Sequence, residues 1–291
     1  MSNTSYGALQ ALSDDLARAV DKAASVTVAV NGRPHTPSSG IHWQEDVVVT
    51  TDHTLRQDED ITITLRSGQT HPAKLAGRDP GTDLAVLRVA NLGAPNIEYV
   101  EPGSLQVGHL VLAVGRHATA SLGVISSISG QWRTWRGGHV EQMIRPDVNI
   151  YVGFSGGSLV TASGAIAGIN TSGLTRGGGV TLPKSTIDRV LGQILSRGRV
   201  VRGFLGIGMQ PVRLPGNRIG LMILSMEPQG PAEKGGILLG DILLSADGKP
   251  LRDTDDLHAL LAPEQIGRPV TFTLLRGGAE MQTSVSIGER P

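Results

Sequence analysis

A serine framed by glycines stands in the run Val152-Gly153-Phe154-Ser155-Gly156-Gly157-Ser158-Leu159. Such a setting suits an acyl-transfer nucleophile. Glycines let the chain turn tightly and bring its amides close to a substrate carbonyl. The N–H groups of Gly153 and Ser155 can then converge as an oxyanion hole for a tetrahedral intermediate. Glycine and serine are also ordinary turn formers, so an isolated match reads equally as a flexible loop. The motif gains meaning only beside a base that activates the hydroxyl and a group that orients the base.

Three of the eight histidines stand near predicted strand ends: His53, His109 and His117. His53 follows Val47-Val48-Val49-Thr50-Thr51-Asp52, so a buried strand delivers it to a loop. Asp83 follows Asp79-Pro80-Gly81-Thr82 and precedes Leu84-Ala85-Val86-Leu87. A carboxylate beside so apolar a strand is costly unless hydrogen-bonded. It can accept from His53 Nδ1, fix the tautomer and stabilise the imidazolium. Asp79, next to Pro-Gly, reads as a turn residue. Taken singly, each residue has a bland reading as surface, core or turn. Together His53, Asp83 and Ser155 follow the chymotrypsin-type order, with the first two in one β block and the third in another.

The remaining chain must hold these groups. Its 291 residues suffice for two or three compact units, and the 39% hydrophobic, 18% charged composition is globular. Aromatics are only 3%, so the core is built from Val, Leu, Ile and Ala. Short strands of period two are predicted near residues 26–30, 46–50, 61–65 and 84–89, then 110–114, 123–128 and 165–169. Two blocks of about six strands suggest two small antiparallel barrels. Pro183 opens a helical stretch with Ile187, Val190, Leu191, Ile194 and Leu195 at helical spacing, stopped by Gly198. Beyond Arg202, strands near 205–210, 220–226, 241–246 and 270–276 alternate with two short helices. The second of these spans about 254–261 and is capped by Asp253 or Thr254. The run Asp253-Thr254-Asp255-Asp256 suits a solvated helix start.

Lys plus Arg equals Asp plus Glu at 26 each, which argues against nucleic acid or an anionic membrane as partner. Cysteine is absent, excluding disulfides, thiolate nucleophiles and Cys-based zinc sites. No cofactor or metal is implied. The N-terminal stretch is polar and helix-like, with Leu9, Leu12, Leu16 and Val20 along one face, and lacks the layout of a secretory signal. No apolar run reaches membrane-span length. The expected location is the cytoplasm, or the periplasm if a leader has been removed.

The chain resembles the HtrA (DegP/DegS-like) serine proteases along nearly all its length. The resemblance is carried by Ser38-Ser39-Gly40-Ile41, Val49-Thr50-Thr51-Asp52-His53, and Asp79-Pro80-Gly81-Thr82-Asp83 with its apolar strand. Further on it is carried by 107–115, Gly153-Phe154-Ser155-Gly156-Gly157 and Gly168-Ile169-Asn170-Thr171. Arg202-Gly203-Phe204-Leu205-Gly206-Ile207, Gly240-Asp241-Ile242-Leu243 and Asp247-Gly248-Lys249-Pro250 are similar to PDZ signatures. The resemblance implies a mainly β protein: an N-terminal helical segment 1–24, a trypsin-like double barrel 25–183, a linker helix 184–201 and a PDZ domain 202–291. It makes His53 the base, Asp83 the orienting acid and Ser155 the nucleophile. Ile169, Asn170, Val180 and Thr181 would line the specificity pocket. No acidic residue stands there, which argues against Lys or Arg and leaves small or medium aliphatic side chains. Phe204, Leu205, Gly206 and Ile207 would present amides to a peptide C-terminus, with the peptide lying as a strand against the helix around Leu257 and Leu261. A homotrimer with the N-terminal segment, including Tyr6, at the contact is also implied.

Three residues depart from the family pattern: Phe154 stands for its Asn, Ser158 for its Pro, and Asp52 for a small residue. Two functions follow. One is an endopeptidase acting on unfolded or misfolded polypeptide. The alternative is a silenced protease fold serving as a chaperone-like or peptide-binding scaffold.

Overall fold

A computed structural model describes residues 3–175, 177–262 and 265–290, with side chains from Gly7 onward; Tyr6 lies outside the described side chains. The chain divides into two compact units, Met1–Val200 and Val201–Pro291. The first begins with helix α1 (Asn3–Ala24). A first closed barrel follows, made of β1 (Thr27–Asn31), β2 (Ser38–Gln44), β3 (Val47–Thr51), β4 (Ile61–Thr64), β5 (Thr70–Asp79) and β6 (Leu84–Arg88). Its order is β1-β2-β3-β6-β5-β4, closed by antiparallel pairing of β1 with β4. The second barrel contains β7 (Leu110–Gly115) and β8 (Thr119–Ser129). After a small hairpin of β9 (Trp132–Arg133) and β10 (His139–Val140) come β11 (Met143–Asp147), β12 (Ser158–Thr161), β13 (Ile166–Thr171) and β14 (Val180–Pro183). Its order is β11-β14-β13-β12-β7-β8, closed between β8 and β11. The two six-stranded barrels expected from the strand spacing are both present.

Strands β3 and β6 explain the near-continuous apolar runs in the sequence. Val48 and Leu87 point into the first barrel, whose interior also holds Val28, Val30, Ile61 and Ile63. Their neighbours Val47, Val49, Leu84 and Val86 point the other way, into a core shared with the second barrel and the helices. A strand buried on both faces has no polar side to show. Each fully buried Val, Leu or Ile contributes about 1.5–3 kcal/mol.

Helix α2 (Lys184–Arg197) packs Ile187, Val190, Leu191 and Ile194 into that shared core and ends at Gly198, which adopts φ 74°. It is an integral part of the first unit. Helix α1 buries Ala19, Ala23 and Ala24 there, with Leu16 and Val20 against them, while Leu9 and Leu12 stay exposed.

The second unit is a sheet ordered β16-β17-β18-β20-β21, from β16 (Ile207–Leu214), β17 (Arg218–Met226), β18 (Ile242–Ala246), β20 (Pro269–Arg276) and β21 (Ala279–Ser286). Short β19 (Lys249–Pro250) pairs with β18, and β15 (Gly203–Phe204) pairs with β22 (Gly288–Glu289). Helices α3 (Pro231–Lys234) and α4 (Thr254–Ala259) cover a core around Leu221, Leu243, Leu257 and Phe272. Asp253 caps α4: its side chain accepts from the Asp256 amide, and Asp256 accepts in return from the Asp253 amide. Strand β21 carries little apolar pattern because it is an edge strand with only Val285 fully buried.

Candidate active site

Asp83 sits at the start of β6 with no solvent exposure and a left-handed φ of 57°. Asp79 shapes the turn before it, accepting from the Gly81 amide at 3.1 Å and from the Thr82 hydroxyl at 2.6 Å. Three donors then converge on the Asp83 carboxylate. His53 supplies its backbone N–H to Oδ1 at 2.8 Å and its Nδ1 to Oδ2 at 2.7 Å. Thr171 donates its hydroxyl to Oδ2 as well. A carboxylate this deep is tolerated because its lone pairs are occupied by donors. With Nδ1–H aimed at Asp83, His53 keeps Nε2 as an acceptor.

His53 lies in a single 3-10 turn, Asp52–Thr54, placed where β3 ends. The neighbouring carboxylate of Asp52 is not free: Arg78 Nη1 donates to its Oδ1 at 2.9 Å. Arg78 also donates to the carbonyls of Leu55 and Gln57, at 2.8 and 3.0 Å, and pairs with Asp58. The extra negative charge beside His53 therefore faces a guanidinium that also ties down the loop after the turn.

Ser155 is held in a turn that only glycine permits. Gly156 adopts φ 89°, and a Cβ there would collide with the Ser39 carbonyl oxygen. A Cβ at Gly157 would collide with the Val114 carbonyl oxygen. The Ser39 amide donates to the Ser155 carbonyl at 3.2 Å, fastening the nucleophile loop of the second barrel to β2 of the first. Ser155 Oγ lies 3.1 Å from Ser172 Oγ and accepts from the Ser172 amide at 3.4 Å. Among the described residues its hydroxyl has no hydrogen bond to His53. Residues 171–173 nevertheless gather the three groups: Thr171 touches Asp83, Ser172 touches Ser155, and a Cβ at Gly173 would stand 2.6 Å from both Asp83 Oδ2 and His53 Nδ1. Thr171, Ser172 and Gly173 were not singled out by chemistry in the sequence. Their signal is only their place directly after Asn170.

Gly153 adopts φ 98°, and its carbonyl accepts from Ser39 Oγ at 2.6 Å. Among the described residues the amides of Gly153 and Ser155 have no protein acceptor. Phe154 is largely buried, its ring against Gly115 and 5.6 Å from the Tyr151 ring. Ser158 is fully buried on β12, and among the described residues its hydroxyl has no hydrogen-bond partner.

The four expected pocket residues are occupied in the barrel wall. Ile169 and Val180 belong to the shared apolar core. Asn170 and Thr181 are cross-strand partners: the Thr181 hydroxyl donates to Asn170 Oδ1 at 2.7 Å, and Asn170 Nδ2 donates to the Ser158 carbonyl at 2.8 Å. A cavity of 430 Å³ beside the loop has other walls, among them Arg116, Thr119, Tyr151, Gly153 and Phe154.

In the second unit β16 is an edge strand, paired only with β17. Among the described residues the amides of Leu205 and Gly206 have no protein acceptor, and Gly206 adopts φ 75°. Phe204 pairs with Gly288. Ile207 and Leu261 are partly buried, whereas Leu257 is fully buried in the core and Leu205 nearly so. Leu257 thus faces inward, because α4 is a short helix whose one apolar face must cover the sheet.

The double barrel, with a buried aspartate paired to a partly exposed histidine and a glycine-bound serine, defines a trypsin-like peptidase fold carrying a PDZ domain. The Trypsin-like peptidase domain family matches residues 38–169, and the PDZ domain family matches residues 203–287. A DegP-like periplasmic serine endoprotease of Ectopseudomonas mendocina is 31% identical over 257 residues, covering 84% of this chain and 54% of its own length. Protease Do-like 1, chloroplastic, of Arabidopsis thaliana is 32% identical over 288 residues, covering 89% of this chain and 65% of its own. The serine endoprotease from Yersinia pestis superposes with a TM-score of 0.77 at 29% identity, over 95% of this chain and 98% of that one. The HtrA-type protease AlgW with decapeptide gives 0.77 at 26% identity, over 95% and 99%. The chain belongs to the HtrA (DegP-like) family. It spans about half the length of the DegP-like curated relatives it matches.

Proposed function

We propose that the chain is a serine endopeptidase that cleaves unfolded or misfolded polypeptide through an acyl-enzyme, with its second unit binding peptide C-termini. The observation that carries this reading is the buried Asp83, which holds His53 Nδ1 at 2.7 Å. The segment after Asn170 brings Ser155 to the same place. Asp83 fixes the imidazole with Nε2 free to take a proton. Ser155 Oγ turns from Ser172 to His53, gives up its proton and attacks the scissile carbonyl. The oxygen of the tetrahedral intermediate takes hydrogen bonds from the amides of Gly153 and Ser155, each worth roughly 10²–10³ in rate. Collapse breaks the C–N bond as His53 returns the proton to the leaving amine. A water then follows the same route, attacks the ester and releases the acid.

A fluorophosphonate probe tests the reading: it should label the wild-type chain and not Ser155→Ala. Complete absence of labelling with any activating peptide, together with retained peptide binding, would establish the scaffold reading instead. That alternative draws on the Ser155 hydroxyl resting on Ser172.

The open edge of β16 and the free amides of Leu205 and Gly206 support addition of a peptide strand there. The cytoplasmic expectation finds no support among the DegP-like relatives, which are named as periplasmic, and the periplasm is the setting we adopt. Among the described residues no helix is long and apolar enough to cross a membrane. Exposed Leu9 and Leu12 on α1 support self-association, which we take as a trimer; sedimentation as a monomer at every concentration would reject it.

A further inference from the structure

The basic corner beside Gly153 is not used by the chemistry above. Arg116 follows β7 directly, and its backbone N–H donates to Ser39 Oγ at 2.8 Å, the same hydroxyl that donates to the Gly153 carbonyl. Its Nε donates to the Pro37 carbonyl at 2.9 Å. The guanidinium thereby lies against Gly153: a Cβ there would stand 3.0 Å from Nε and 3.1 Å from Nη2. The two Nη groups have no hydrogen-bond partner among the described residues. They border the 430 Å³ cavity.

Arg33 reaches the same loop: its Nε donates to the Thr36 carbonyl at 2.6 Å, one residue before the Pro37 carbonyl that Arg116 holds. Arg33 is pushed below its ordinary pKa by burial and then by the charges of Arg116 and Arg56. Among the described residues none of the three has a carboxylate partner. Three positive charges without a counter-ion repel one another, an arrangement that an arriving anion relieves. The turn carrying Arg116 is also strained. His117 and Ala118 both adopt left-handed φ, 56° and 57°, at about 1–2 kcal/mol each. Strain of this kind collects where a wall must be held in place for binding.

We propose that this cavity is a substrate subsite selective for an acidic side chain next to the scissile bond, with Arg116 as its ion-pairing group and Arg33 as a second charge. The Arg116 fork presents two Nη groups with planar geometry matched to a carboxylate. Thr119 and the apolar faces of Tyr151 and Phe154 enclose the stem of an Asp or Glu. The subsite rests on the protease reading, because it needs a peptide seated at Gly153.

The test is a set of peptides carrying Glu at one position at a time on either side of the cleaved bond, each with an isosteric Gln twin. Fluorophosphonate labelling is run alongside on the full chain. At one position the Glu peptide should be cleaved about fivefold faster, as expected for a partly exposed ion pair. That ratio should fall to about one in Arg116→Gln, fall partway in Arg33→Gln, and shrink in about 0.5 M salt. The ratio reports recognition even if the variants lower the common rate. A ratio of one at every position in the wild type overturns the subsite while leaving the protease reading in place. A preference that survives in Arg116→Gln also overturns it. No cleavage and no labelling removes the protease reading and the subsite with it.

Discussion

Ser172 Oγ stands 3.1 Å from Ser155 Oγ, while the residue before it, Thr171, donates to the Asp83 carboxylate. One stretch of chain at the end of β13 thus reaches both ends of the site. It steadies the Asp–His pair and holds the serine hydroxyl at rest. On the protease reading, breaking the Ser155–Ser172 bond precedes attack, at about 1 kcal/mol. Ser172→Ala should therefore raise the rate of fluorophosphonate labelling by about fivefold; an unchanged or slower rate would refute the resting role.

Asp83→Asn keeps the size of the side chain but cannot accept from His53 Nδ1 and Thr171 while meeting the His53 amide with its second oxygen. The imidazole then loses its fixed tautomer. On the protease reading kcat should fall by about 10⁴ with a smaller change in KM. Thr171→Val removes one of three donors and should cost roughly tenfold. Steady-state kinetics on an unstructured substrate measure both.

Ser158 carries a buried hydroxyl with no partner. An unsatisfied buried polar group costs roughly 1–3 kcal/mol. Ser158→Ala should stabilise the first unit by about 1 kcal/mol, a rise of about 2–4 °C in Tm by calorimetry. A lower Tm would mean the hydroxyl has a role in place.

Acid sensitivity of the second unit should trace to Asp241. Burial alone would raise its pKa, but Arg276 donates Nε and Nη2 to its two oxygens at 2.8 and 2.7 Å and the Leu238 amide adds 2.8 Å, so the carboxyl stays below its ordinary range. A folded pKa below the unfolded value of about 3.9 gives stability that is present above that pH. It is lost as pH falls through the folded value. Asp241→Asn should destabilise the full chain by about 1–2 kcal/mol at pH 7, and the gap to wild type should narrow below about pH 4. A gap constant with pH would refute this account.

Much of this protein was written locally. The period-two runs placed both barrels, and Val47, Val49, Leu84 and Val86 turned out apolar because β3 and β6 are buried on both faces. Gly156 and Gly157 announced a turn that no side chain can enter. A resemblance carried over by position does not say what each face meets. Leu257 was placed in the peptide groove, yet it fills the core of the second unit. Ile169 and Val180, expected at the specificity pocket, pack into the core shared by the barrels and helices. Asp52, a departure from the family pattern, pairs with Arg78 from the far end of β5, a contact that no local pattern shows.

Sequence by itself determined the strands, the two domains and the three residue types that acyl transfer needs, because backbone propensity and apolar spacing are local properties of the chain. Tertiary structure alone decided that Thr171, Ser172 and Gly173 join Asp83, His53 and Ser155, and that Arg116 lies against Gly153. The Thr171–Asp83 contact alone connects residues 88 positions apart. Such contacts exist only once two barrels have closed and met, and no local pattern encodes which loops that closure brings together.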